Sequence, residues 1–158
     1  MFREMIRKNQ QLPMEECIEI LKTQPRGVLS VLGDEGYPYG TPINHWYSEK
    51  DGRLYFHSSM KGHRVDAMEK CDKASFCVYD EGFRREGEWA LNIRSVVVFG
   101  RLKKVEDPAV ALDFIRAMSA KFTDDTEYVE REIAAAMDHT LCFVLEPEHI
   151  TGKLVNEA

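Results

Sequence analysis

The chain has 158 residues, which is long enough to bury a core. Its composition, with 44% hydrophobic and 30% charged residues, is that of an ordinary globular protein and argues against intrinsic disorder. Its formal net charge of −6 argues against a nucleic-acid partner, because phosphate binding needs a basic surface. No apolar run approaches the roughly 18 residues of a membrane span, and no secretory signal is recognisable, so we expect a cytoplasmic protein without a membrane partner.

The first half of the chain predicts one helix followed by short strands. Apolar residues at helical spacing, after a proline suited to a first turn, indicate the helix. Short apolar runs bounded by turn residues follow, and the Asp51-Gly52 pair favours a tight hairpin. In chain order, the predicted elements are helix 12–24, strands 27–33, 37–49 and 53–58, helix 62–71 and strand 73–81.

The second half begins with one long strand, predicted over residues 91–106. Its middle, residues 96–99, is apolar on both faces, which indicates a central place in the sheet. Gly100 inside this strand predicts a bulge or a close approach by another group. Two amphipathic helices follow, opened by cap signals at Asp107 and at residues 124–127, and the last strand covers residues 140–155.

These elements amount to six strands and four helices. Short connections join most of the strands, which disfavours a parallel sheet. We therefore expect a mainly β protein with helices (α+β), built as a small antiparallel barrel with helices packed outside. No linker or repeat interrupts the pattern, so a single domain over residues 1–158 is predicted.

Hydrogen-bond donors are concentrated where the third strand meets the second helix. A helix that begins near Gly62 presents free backbone N–H groups and the positive end of its dipole. Arg64 can hold two phosphate oxygens at once. A dianionic phosphate would satisfy this set, and a capped helix with solvated basic side chains is the alternative. The full set is His57, Ser58, Ser59, Lys61, Gly62, His63 and Arg64.

The neighbouring strand offers a place for a flat ring. Pro42 removes a ladder hydrogen bond, so this strand is predicted to lie at a sheet edge. A ring with polar edges, such as isoalloxazine, would meet backbone groups that are otherwise unpaired there. A hairpin with aromatic core residues is the alternative. The residues that would border the ring are Pro42, Ile43, Asn44 and His45.

The four cysteines do not indicate a metal site. Cys71 and Cys77 are six residues apart, and with His63 and His139 they match no common zinc pattern. We predict no bound metal and reduced thiols, with Cys17, Cys77 and Cys142 acting as small core residues.

Five segments, in this order and spacing, resemble the FMN-binding split-barrel superfamily, of which pyridoxamine 5'-phosphate oxidase is a member. Within it, the chain is most similar to nitroimidazole-resistance (Nim-type) proteins. The segments are RGVLSV, DEGYPYGTPINHWY, LYFHSSMKGHRVDAM, IRSVVVFGRLKKVED and ITGK. The resemblance implies a six-stranded antiparallel split β-barrel with flanking helices, bound FMN, and a homodimer with the flavin at its interface.

The resemblance also implies roles for individual residues. Pro42 to His45 would border the ring, and Ser95 and Val96 would approach it, from the second subunit. Arg64 stands where the family often has lysine, and arginine keeps the charge. The residues that would cradle the phosphate are His57, Ser58, Gly62, His63 and Arg64.

The implied function is an FMN-dependent oxidoreductase that reduces a small electron-poor acceptor, such as a nitroaromatic. Reduced nicotinamide would be a transient donor, because the chain has no glycine-rich nicotinamide fingerprint. His45, beside Trp46 and Tyr47, is the candidate residue to contact the acceptor, unless it is a solvated strand residue and Trp46 is core. Two alternatives stay open: a non-enzymatic flavin or haem binding protein (carrier or sensor), and a dimeric interaction protein that has lost its ligand.

Overall fold

A curled antiparallel sheet surrounded by four helices forms the protein, described here by a computed structural model of residues 1–157. The strands are β1 (Arg26–Leu32), β2 (Pro38–Asn44), β3 (Trp46–Ser48), β4 (Arg53–Ser59), β5 (Lys73–Tyr79), β6 (Asn92–Lys104) and β7 (Thr140–Asn156). The helices are α1 (Met14–Thr23), α2 (His63–Lys70), α3 (Pro108–Ser119) and α4 (Thr126–Ala136). The strand order is β2-β1-β5-β6-β7-β4-β3, and the sheet forms a half-barrel that confirms the mainly β prediction.

The sheet has seven strands, so the prediction of six is wrong. The segment predicted as one strand over residues 37–49 is divided at His45: β2 pairs with β1, whereas β3 pairs with β4 at the opposite edge of the sheet. The chain therefore passes from one edge to the other at this residue. His45 does not take part in the hydrogen-bond ladder of either strand, and its polar groups are bonded elsewhere. Its side-chain Nε2 donates to the Leu21 carbonyl at 2.7 Å, and its backbone carbonyl accepts from Lys121 Nζ at 2.8 Å.

The long strand β6 lies in the middle of the sheet, as predicted. Val96 and Val98 point into the barrel and are fully buried, whereas Phe99 points outward and is 41% exposed. The predicted bulge is also present, because the register with β7 shifts between Phe99 and Gly100. A side chain at Gly100 would collide with the backbone oxygen of Glu146, so glycine permits the close approach of the two strands.

Apolar side chains form two cores. The larger core fills the barrel and includes Phe56, Phe76 and Phe143, all fully buried. The second core lies between α3 and the outer side of β4 and β7, where Phe114 packs against Tyr55 with ring centroids 5.6 Å apart. This second core fixes α3 and α4 over one end of the half-barrel. In the described part of the chain, no helix combines the length and the hydrophobicity that crossing a membrane requires.

Candidate functional site

The predicted cluster of donors is assembled at the start of α2. Gly62 caps this helix with a φ of 141°, a backbone conformation that strains other residues, and a Cβ there would meet nothing within 4 Å. No side chain hydrogen-bonds to this helix end. The first N–H groups of α2 are therefore left for water or for a ligand, and the positive end of the helix dipole favours an anion.

Arg64 supplies a cation beside this helix end. Its guanidinium is half-buried, and Nη2 donates to Thr41 Oγ1 on the edge strand β2. Its Nε is buried without a hydrogen-bond partner, and no carboxylate among residues 1–157 lies within ion-pairing distance. Burial lowers the pKa of Arg64. A buried cation without a counter-ion is costly, so this position fits a bound anion.

The other polar residues of the cluster mainly shape the loop. The hydroxyl of Ser58 donates to the Ser59 carbonyl at 2.8 Å, and the hydroxyl of Ser59 donates to the Lys61 carbonyl at 2.9 Å. His63 Nε2 accepts from the Asp34 N–H at 3.2 Å, and its ring packs on Tyr39 with centroids 4.0 Å apart. These contacts join α2 to the β1–β2 turn. Lys61 is exposed and adds positive charge at the surface.

The edge strand β2 runs from Thr41, which bonds to Arg64, to Asn44, which lines a cavity. Pro42 lies on this outermost strand, which confirms the predicted edge position. Ile43 packs on the barrel core, and Asn44 Oδ1 accepts from Arg26 Nε at 3.0 Å. Thr41 and Asn44 are three residues apart, which corresponds to roughly 10 Å along a strand. The anion site and the cavity are therefore at two points of the same strand.

This open cavity, of about 300 Å³, is lined by α3, α4 and the strand residues Asn44 and His57, and we call it the α3–α4 cavity. Its walls are mainly apolar and include Met118, Ile133 and Met137. His57 contributes an imidazole whose Nδ1 is buried without a partner, and burial lowers the pKa of His57, which favours the neutral ring. The cavity thus combines an apolar wall with the polar side chains of Asn44 and His57 at one end.

His45 lies away from any surface. Its side chain has an exposed fraction of 0%, and its ring packs edge-on against Phe76 with centroids 4.9 Å apart. Burial, together with the nearby charge of Lys121, lowers the pKa of His45 to about 3. In this chain the side chain therefore has no open surface with which to contact an acceptor, and it is not a solvated strand residue. Trp46 is half-buried against Tyr55 and Phe114.

The structure brings together most of the residues expected near a flavin, except His45, whose side chain is buried, and the two residues on β6. Ser95 is half-buried on the outer side of the sheet, and Val96 is fully buried inside the barrel. Two strands, β1 and β5, separate β6 from β2 in the sheet. Ser95 and Val96 therefore lie apart from Arg64 within one chain.

Three features of this region escaped the sequence analysis. The first two are hydrogen bonds between side chains that are distant in the sequence: Arg64 donates to Thr41, and Arg26 donates to Asn44. The third is the α3–α4 cavity itself. One signal for it was present: the apolar stripe of α4 continues through Val129 and Ile133, yet no residue of that helix is fully buried. A helix with an apolar stripe that its own core does not cover is typical of a binding site.

A split antiparallel half-barrel, with a helix start suited to an anion beside an edge strand and an apolar cavity at its end, is the architecture of the split-barrel class. Residues 13–154 match the family model described as pyridoxamine 5'-phosphate oxidase, and the chain belongs to this family. No curated protein matches the chain.

Solved structures share the fold. A protein from Bacteroides thetaiotaomicron, provisionally assigned as a 5-nitroimidazole antibiotic resistance protein, has a TM-score of 0.74 at 16% identity, over 92% of this chain and 87% of that one. An FAD-binding protein from Mesorhizobium loti has a TM-score of 0.69 at 23% identity, over 92% and 97%. The flavocytochrome Anf3 from Azotobacter vinelandii has a TM-score of 0.70 at 24% identity, over 90% and 67%.

Proposed function

We propose that this protein is an FMN-dependent oxidoreductase that reduces a small electron-poor acceptor. The observation that carries the proposal is the half-buried guanidinium of Arg64 at the uncapped start of α2, which within residues 1–157 has an unpartnered Nε and no carboxylate nearby. A phosphate group would neutralise Arg64 and accept hydrogen bonds from the helix N–H groups. The family of the chain supports the same conclusion.

The chain's own residues would hold the two ends of FMN differently. Arg64, Lys61 and the first amides of α2 would bind the phosphate. The backbone of Pro42 to Asn44, at the sheet edge, would border the ring and fix its orientation. When bound, flavin supplies hydride or electron transfer. The apolar walls of the α3–α4 cavity would exclude water from the reacting face.

The names of structural neighbours support the choice of acceptor. One neighbour is provisionally assigned to 5-nitroimidazole resistance, and others are named as an FAD-binding protein and a flavocytochrome. We infer a nitroaromatic acceptor from the first and a flavin from the others. Reduced nicotinamide is the donor we infer, bound only transiently. The four free thiols of the chain suit a reducing compartment such as the cytoplasm.

Two measurements test this function. The purified protein should be yellow, with the visible absorbance of oxidised flavin, and mass spectrometry of the released cofactor should identify FMN. Under anaerobic conditions, the protein reduced with NADH or NADPH should be reoxidised by a 5-nitroimidazole in stopped-flow experiments. A yellow protein that neither donor reduces, and that no acceptor reoxidises after chemical reduction, would instead be a carrier or sensor. A colourless protein that binds no added flavin would contradict the proposal.

We also infer a homodimer with the flavin at its interface. The outer face of the sheet presents uncharged side chains in register: Val28 of β1, Cys77 of β5 and Val97 of β6 lie side by side, with Val28 36% exposed and Tyr79 63% exposed nearby. A second copy would cover this face and bury apolar area. Ser95, which lies on the same outer side, would then reach the ligand of the partner subunit.

A charge on this face should break the dimer. Val28→Lys would bury an uncompensated cation in the interface, so we expect a monomer at micromolar concentration, where the unchanged chain sediments as a dimer. The matched control is Val110→Lys, at an exposed valine on α3, which should leave the dimer intact. An unchanged chain that sediments as a monomer and still binds FMN would contradict the shared site.

A further inference from the structure

The α3–α4 cavity is suited to a neutral ligand. Among residues 1–157, no lysine or arginine side chain lines it, and the one charged lining group is the carboxylate of Glu132, an exposed residue on α4. An anion would meet repulsion from Glu132 with no cation to compensate. The volume of about 300 Å³ is at the small end of ligand sites, which corresponds to a molecule of one or two rings.

The apolar wall favours an aromatic ring. Met118 and Met137 place flexible thioether side chains along the cavity, and Phe122 adds a ring that is 46% exposed. Methionine sulfur makes favourable contacts with aromatic rings and adapts to their shape. Ile133 closes the wall from α4. A flat, uncharged ring would gain contact on both sides.

One end of the cavity is polar. The imidazole of His57 lines this end. The amide of Asn44 lines the same end. A nitro or carbonyl oxygen placed there would accept a hydrogen bond from the side-chain N–H of Asn44, whose Oδ1 is already bonded to Arg26. The polar end also adjoins the part of β2 that would border the flavin ring.

We infer that the α3–α4 cavity is the acceptor site, and that it takes a small neutral aromatic molecule with its nitro or carbonyl group at the His57 end. This inference rests on the proposed function for the role of the bound molecule. The binding itself depends only on the side chains of this chain. It can therefore be measured without turnover.

Filling the cavity tests the inference. Ile133→Trp should occupy the space, and 4-fluoronitrobenzene should lose more than about tenfold in affinity, measured by fluorine NMR on the FMN-loaded protein. Ala134→Trp adds the same side chain at the next residue of α4, which is exposed and does not line the cavity, so its affinity should match that of the unchanged chain. Circular dichroism checks folding, and Val129→Phe fills the cavity from the preceding turn if Ile133→Trp does not fold.

Three results would overturn the inference: an unchanged chain that does not bind the probe, a filled cavity that binds it equally well, or a loss of FMN together with the probe. The last result would assign the cavity to the cofactor and leave the proposed function standing. Conversely, a chain that binds no flavin but loses the probe on Ile133→Trp would support the aromatic site and refute the oxidoreductase function.

Discussion

Arg64→Ala should weaken FMN binding by about 1.5–3 kcal/mol, or roughly 10-fold to 150-fold in Kd. The half-buried guanidinium has no carboxylate partner in the described part of the chain, so its charge is available to a phosphate, and its removal would take away a charge-assisted hydrogen bond. Isothermal titration of the flavin-free chain measures the effect. Riboflavin, which lacks the phosphate, should bind the variant and the unchanged chain with similar affinity.

The control for this prediction is Lys70→Ala. Lys70 is the last residue of the same helix and forms an exposed ion pair with Asp34 at 3.5 Å. Its removal should leave FMN affinity nearly unchanged, because exposed pairs contribute little. Equal FMN affinity in Arg64→Ala and in the unchanged chain would refute the phosphate assignment.

The buried histidine at the β2–β3 break should make the fold sensitive to acid. The pKa of His45 is about 3 in the folded chain and near 6.5 when exposed in the unfolded chain. Between these values the unfolded state binds one proton more than the native state, so stability falls as pH falls from 6.5 toward 3. The slope reaches about 1.4 kcal/mol per pH unit, and the whole loss is on the order of 3–5 kcal/mol.

His45→Gln isolates this effect. The glutamine amide can still donate to the Leu21 carbonyl but does not titrate, so urea unfolding should show a flatter decline between pH 6.5 and pH 4. His139→Gln, at an exposed histidine, should follow the unchanged chain. Carboxylates contribute equally to all three curves and cancel in the comparison. Parallel curves for His45→Gln and the unchanged chain would mean that His45 titrates normally in the folded state.

The sequence predicted the features of the fold that depend on residues close to one another in the chain. Asp107 caps α3 as expected, with its carboxylate accepting from the Ala109 N–H at 2.9 Å, and Gly100 marks the bulge of β6. The division at His45 escaped prediction for the opposite reason. Asn44 precedes it but forms no turn pair such as Asn-Gly, and the groups that hold it, Leu21 and Lys121, are distant in the sequence.

The same distinction applies to the site. The residue types between positions 57 and 64 predicted an anion site, and the structure gathers them at one helix start. Which of them remain available was not predictable, because the serine hydroxyls bond to nearby carbonyls and His63 is used by the β1–β2 turn. The cavity depends on how α3 and α4 pack on strands from elsewhere in the chain, which no local pattern encodes.

The passage of the chain at His45 has a mechanical consequence. β2 and β3 are the two outermost strands of the sheet. Only His45 lies between them in the chain, so the backbone holds the two edges of the half-barrel close together at this residue. The sheet cannot flatten without breaking the buried contacts of His45 with Leu21 and Lys121. Asn44, next to this tie, and Thr41, further along β2, therefore keep a fixed distance from β4. The flavin proposed to lie along β2 would therefore meet a preorganised site, and little of its binding energy would be lost in ordering the protein.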